Sequence, residues 1–261
     1  MPKLNMSFVE SVAAQLRETA SKRGDNNQGG GQLPELKWYN WRDGVNMIRV
    51  LEPAFEDGRF ALLYFTHFNI PPDRGRHVCL AESWPQAKIP CGICDVISDA
   101  KKRNLWELVS KYTPGGYAYV NGVDLFEVEK GVQIVDLRLS MYNKLMDLMT
   151  MKDPAPPYAQ LYGDITDMET GRTVIIKKTY KAAQAGQERR PEYDTSLHPN
   201  QTPAHPDPAV RSMWMQSRYQ IEKIKKMPGE DALKAIAIAA QQFRGWLAAR
   251  VAQPEAAPTV G

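Results

Sequence analysis

Three cysteines and a histidine fall in the pattern His67-x11-Cys79-x11-Cys91-Gly92-Ile93-Cys94, and no other feature of this 261-residue chain restricts its fold as strongly. Two cysteines separated by two residues can reach one ion, because the intervening turn directs both sulfurs inward. A third cysteine and a histidine complete a tetrahedral Cys3His set, which closes the shell of an ion such as zinc and leaves no position for a water. Such an ion is structural. It clips the polar, proline-containing loop from Pro71 to Pro90, which apolar burial alone is not expected to fold. Structural zinc contributes roughly 10–16 kcal/mol in small peptides at neutral pH, ample for that purpose. His77 competes with His67 for the fourth place, since His77-x-Cys79 can share one face of a strand, and spacing alone does not separate the two. A redox reading of Cys91-Gly92-Ile93-Cys94 lacks the βαβ surroundings it needs and leaves Cys79 over. Three cysteines within sixteen residues are also odd in number, which speaks against a secreted disulfide scaffold.

Around this cluster the pattern is that of short strands. Runs rich in β-branched and aromatic residues occur at Val45–Leu51, Phe60–Ile70, Tyr117–Val120, Val123–Glu127, Val132–Leu139 and Thr173–Tyr180, parted by glycine-containing turns. One helix interrupts them, from a Ser140 cap to Met151, ahead of Asp153-Pro154. The expectation is a mainly β chain with flanking helices: an OB-fold-like small barrel with a structural zinc subdomain and two C-terminal helices. Asp207-Pro208 marks the first of those helices, over 208–226. The second, over 230–251, puts Leu233, Ile236, Ala240, Phe243 and Leu247 on one face and is expected to dock on the barrel. The domain reading is a helical arm and flexible linker over 1–34, with the helix at about Ser7–Lys22, and a core over 35–195 holding the zinc subdomain at about 67–103. A proline-rich linker with the two helices follows over 196–252, and a disordered tail over 253–261.

The net charge of +3 excludes a strongly polybasic protein, so any nucleic-acid surface must arise from local clustering. Three clusters qualify. Lys177, Lys178, Tyr180, Lys181, Arg189 and Arg190 form one; Lys101, Lys102, Arg103, Trp106, Lys111, Tyr112, Tyr117 and Tyr119 form a second; Arg74, Arg76, Trp84 and Lys88 sit inside the metal loop. Cations interleaved with flat rings suit single-stranded nucleic acid, where phosphates seek charge and unstacked bases seek an aromatic face. Trp38 and Trp41 read as packing residues, and His198 and His205 as solvated. A zinc enzyme is the competing class, but the nearest acids, Asp73, Glu82 and Asp95, form no HExxH-type arrangement. A zinc-stabilised protein-interaction module is the third. The longest apolar stretch near the C-terminus, Ala235 to Ala240, is far shorter than the ~20 residues of a membrane span. With no apolar leader after Met1-Pro2-Lys3, a cytoplasmic protein is expected.

Several stretches together resemble a known family. They are Asn46-Met47-Ile48-Arg49-Val50-Leu51-Glu52-Pro53, His67 on the next strand, Cys79, and Pro90-Cys91-Gly92-Ile93-Cys94 opening a helix. The strand Tyr117-Ala118-Tyr119-Val120-Asn121, the helix Ser140–Met151 and the basic hairpin Arg172–Lys181 continue the likeness. This order is similar to that of the zinc-containing single-stranded-DNA-binding proteins of tailed phages, the T-even replication type, over about Lys37 to Val251. The resemblance implies an OB-fold with one structural Zn2+ on His67, Cys79, Cys91 and Cys94, beside a basic cleft. It implies non-enzymatic binding of single-stranded DNA in phage replication, recombination and repair, within the cytoplasm of a bacterial host. Val12-Ala13-Ala14-Gln15-Leu16 matches part of the family's arm, which implies self-association along DNA; Thr19-Ala20-Ser21-Lys22-Arg23 only approximates its basic cluster. Phage replication proteins are the implied partners, although the family's long acidic tail has no counterpart in Gln253–Gly261, where Glu255 is the single acid.

Overall fold

The computed structural model describes residues 36–52, 60–150, 163–181 and 189–252. The expected arm over 1–34, the stop signal Asp153-Pro154 and the tail over 253–261 lie outside the described residues. In chain order the elements are β1 (Gly44–Val50), β2 (Ala61–Ile70), β3 (Gly75–Val78), α1 (Leu80–Ser83), α2 (Gly92–Lys102), α3 (Trp106–Val109), β4 (Gly115–Asp124) and β5 (Val132–Arg138). They continue with α4 (Leu139–Thr150), β6 (Val174–Tyr180), β7 (Pro191–Leu197), α5 (Pro208–Gln216) and α6 (Glu230–Ala252). The described chain forms two compact units, both discontinuous in sequence: 64–116 with 227–252, and 36–63 with 117–226.

The second of these units is an antiparallel sheet in the order β5-β4-β1-β6-β7. Register runs from Tyr117↔Arg138 to Val123↔Val132 between β4 and β5, and from Val174↔Leu197 to Tyr180↔Pro191 between β6 and β7. Among the described strands β7 pairs only with β6 and β5 only with β4, so these strands form an open antiparallel sheet with flanking helices, where the sequence reading expected an OB-fold-like small barrel. Closure depends on strand tilt and stagger, which alternating hydrophobicity does not encode. Ile48, Val50, Ala118, Val120, Val135, Leu137, Val174 and Ile176 pack with Met141 and Leu145 of α4. A smaller cluster joins Leu51, Val123, Val132 and Met168 to Trp214 of α5.

Helix α5 begins as expected: the Asp207 side chain accepts the Ala209 N–H at 2.8 Å, with Pro208 at the first helical position. It ends at Gln216 rather than Lys226. There the buried Asn121 amide takes over the backbone of Tyr219, accepting its N–H at 2.9 Å and donating to its C=O at 3.0 Å. A tertiary partner for those groups outweighs continued helix. Two strands escaped the sequence reading, β3 and β7. In β7 only Tyr193, Thr195 and Leu197 carry the inward period, between Glu192, Asp194 and Ser196.

The other unit pairs β2 with β3, placing Thr66 opposite Val78 and His67 opposite His77. The face of α6 bearing Leu233, Ile236, Ala240, Phe243 and Leu247 is buried here, against Ile89, Ile93, Val96, Ile97, Val109 and Tyr112, rather than on the sheet of the other unit. The fit against α2 is close: a Cβ on Gly92 would stand 3.0 Å from that of Ala240. The Pro71–Pro90 loop, which apolar burial alone was not expected to fold, contributes Leu80 and Ile89 to this core.

Candidate metal centre

The four predicted donors are placed by three pieces of the first unit. His67 comes from β2, Cys79 immediately precedes α1, Cys91 caps α2, and Cys94 lies in its first turn. Their donor atoms all lie within 4.8 Å of one another, with His67, Cys79 and Cys91 buried and Cys94 half-buried. The Cys79 and Cys94 sulfurs are 3.4 Å apart, and His67 Nε2 is 3.4 Å from Cys91 Sγ and 3.5 Å from Cys94 Sγ. A tetrahedral zinc with bonds of about 2.3 Å to sulfur and 2.0–2.1 Å to nitrogen has edges of roughly 3.6–3.8 Å, so the cage has nearly the right size. It is far too wide for a disulfide, whose sulfurs stand about 2.0 Å apart. The residues present therefore fit a structural zinc ion.

The surroundings fix the donors. A carbonyl can only accept, so the 2.9 Å contact between His67 Nδ1 and the Tyr112 C=O puts a proton on Nδ1 and turns Nε2 toward the sulfurs. Ser83 Oγ accepts the Phe65 N–H at 2.9 Å and donates to the Phe65 C=O at 3.2 Å, while Cys79 N–H donates to that same carbonyl at 2.9 Å. These bonds lock Cys79 to the strand that carries His67. Burial disfavours a charged His67 ring, but the Cys79 and Cys91 sulfurs outweigh it and raise its pKa to about 10. Hydrogen bonds from the Cys79 and Cys94 sulfurs hold the Cys91 thiol far below its ordinary range, and the neighbouring Cys79 and Cys91 sulfurs push Cys94 far above its own. One negative charge is welcome in this cage and a second is resisted. A divalent cation removes that conflict and lets all three sulfurs ionise.

His77 stands across from His67 in the strand pair but is absent from the donor cluster. Its Nε2 is buried without a hydrogen-bond partner, and burial lowers its pKa.

The residues proposed for nucleic acid divide between the units. In the unit with the donors, Lys88, Lys101, Lys102 and Arg103 are exposed and Trp84 is half-buried against Tyr64. Lys101 Nζ lies 5.5 Å from the centre of the exposed Trp106 ring. Tyr112 is corrected to a core residue, packed edge-on against Phe243 and Trp246. In the sheet unit, Lys177, Tyr180, Lys181, Arg189 and Arg190 are exposed and Tyr117 is half-buried. Lys181 pairs with Glu192 at 2.6 Å. Lys178 is largely covered, pairing with Asp43 at 2.8 Å, and hydrogen bonds from Lys178 and Tyr180 lower the Asp43 pKa. Tyr119 is corrected to a buried ring, with Trp38 against its edge at 5.6 Å.

Trp38 itself is 41% exposed, contrary to its reading as packing, whereas Trp41 packs between Tyr39 and Tyr193 as expected. His198 and His205 are turn acceptors for the Asn200 and Asp207 N–H groups rather than merely solvated. Sequence reasoning missed Ser83 and Trp246, whose roles depend on contacts remote in the chain.

No protein-family model matches the chain, and no curated protein sequence matches it.

Proposed function

We propose that this chain is a non-enzymatic, largely sequence-independent binder of single-stranded DNA, with one structural Zn2+ held by His67, Cys79, Cys91 and Cys94. The observation that carries the reading is the β6–β7 hairpin, where Lys177 and Tyr180 of β6, and Lys181, Arg189 and Arg190 just beyond the strand ends, are all exposed. Charge for phosphate and a ring face for bases occur together there, and a ring face accepts any base. A four-ligand cage supports a structural rather than catalytic ion, because it leaves no site for a water. The likeness in ligand spacing and element order extends the proposal to phage DNA replication, recombination and repair in a bacterial host's cytoplasm. Self-association through residues 1–34 and contacts with replication proteins complete it. No described helix is long and apolar enough to cross a membrane.

The test is zinc stoichiometry on purified protein together with a salt titration against a fluorescent single-stranded oligonucleotide and duplex competitor. Expected are one zinc per chain, preference for the single strand, and a log–log salt slope of about −0.7 per phosphate neutralised. Duplex preference, or binding that is flat in salt, overturns the reading.

A further inference from the structure

In the unit that carries the metal donors a cleft of about 490 Å3 opens between the β2–β3 turn, the segment before β4, and α6. Its size is that of a small-molecule site. Arg74 and Lys111 bring two cations to it, Asn69 brings an amide, and Tyr112 and Trp246 form aromatic wall. No carboxylate is among the described residues that line it. The neighbouring Asp73 carboxylate accepts the Gly75 N–H at 3.0 Å.

The lining is held in place. Asn69 and Arg74 both adopt left-handed backbone conformations, with φ of 55° and 58°, which non-glycine residues seldom take unless the surrounding turn imposes them. Trp246 is stacked on the fully buried Phe243, with centroids 6.0 Å apart and planes 26° apart, so its indole is braced from behind while remaining partly exposed. Tyr112 is fixed at its backbone by His67 and at its ring by Phe243, and Lys111 Nζ stands 5.2 Å from that ring's centre. The wall is therefore anchored to a metal ligand through one hydrogen bond.

We propose that this cleft receives one nucleobase of the bound single strand against Trp246, with the flanking phosphate held by Arg74 and Lys111. The proposal rests on the single-stranded-DNA reading above and adds to it a site that the basic hairpin does not contain. A flat ring beside two cations matches a base and its phosphate, whereas a free inorganic anion would leave the indole without a role.

The experiment uses full-length, zinc-loaded protein and fluorescent oligothymidylate across a salt series. Arg74→Ala/Lys111→Ala is expected to keep its zinc and to flatten the log–log salt slope by about 0.7, the share of the one phosphate that the pair neutralises. Trp246→Leu, which preserves apolar contact with Phe243, is expected to bind about tenfold more weakly, and Trp246→Phe to recover most of that loss. Wild-type slope and affinity in all three variants overturn the cleft while leaving the wider function intact. A wild-type protein that ignores the oligonucleotide overturns both. If Trp246→Leu loses zinc and Trp246→Phe binds no better, the ring is structural and the base site is refuted.

Discussion

Replacing Ser83 by alanine tests whether the cage depends on the bonds that join its two halves. Ser83 is buried and no ligand itself, yet its hydroxyl makes two hydrogen bonds to Phe65, two residues before His67. Each such bond contributes about 1 kcal/mol net, and the Phe65 N–H left without a partner adds a further cost toward the low end of about 1–3 kcal/mol, because Phe65 is only half-buried. The Phe65 carbonyl keeps the Cys79 N–H and so adds nothing. The sum, after some rehydration, is about 2 kcal/mol, and at 1.36 kcal/mol per decade that is roughly a thirtyfold loss of zinc affinity if the bonds form together with the metal site. Loss of a partner behind a metal ligand typically costs 10–100-fold, which brackets the figure. Competition against a chromophoric chelator measures it directly, with urea unfolding of the zinc-loaded protein alongside. Unchanged zinc affinity together with unchanged stability would refute the claim that Ser83 ties Cys79 to β2.

Cys91→Ser is expected to abolish stoichiometric zinc by atomic absorption while the β-sheet circular-dichroism signal of the other unit persists. Acidification should release zinc as protons compete for the imidazole and thiolates, so affinity measured between neutral pH and pH 5 should fall with decreasing pH. Asn121→Ala removes both bonds to the Tyr219 backbone and is expected to lower urea-unfolding stability by about 2–4 kcal/mol. Burial raises the Asp136 pKa, with the Trp41 indole N–H donating to it and acting in the opposite direction. Its ionised form is thus penalised in the folded state. Extra stability from protonation is complete below the unfolded carboxylate pKa of about 3.9 and is lost as pH rises through the folded value. Asp136→Asn should therefore be the more stable protein at neutral pH, and its advantage should vanish in acid; no gain at pH 7 by thermal unfolding contradicts this.

The donor set was legible because its spacing makes chemical sense with no fold in hand. The choice between His67 and His77 was not. The two stand opposite each other on paired strands, so period-two reasoning puts both on one face, and only the position of α2 decides which ring meets the sulfurs. Tyr119 was misread for a related reason. From Ala118 to Asp124 every residue of β4 is buried, so alternation carries no information about inside and outside. The apolar stripe of α6 announced that a partner exists, but a stripe does not say which one. Where a strand keeps one wet face, as β6 does at Lys177 and Thr179, the sequence reading and the structure agree.

The close seating of α6 against Gly92 bears on how the molecule is made. All four donors leave the ribosome by residue 94, but the hydrophobic backing of the helix that carries two of them is supplied by residues 233–247. Until residue 247 has been added, a nascent chain carries a set of thiols and an imidazole with one side of their shelter missing. Ion capture and completion of α6 are thereby coupled in time, and a product terminated before that helix would present reactive sulfur without the packing that normally encloses it.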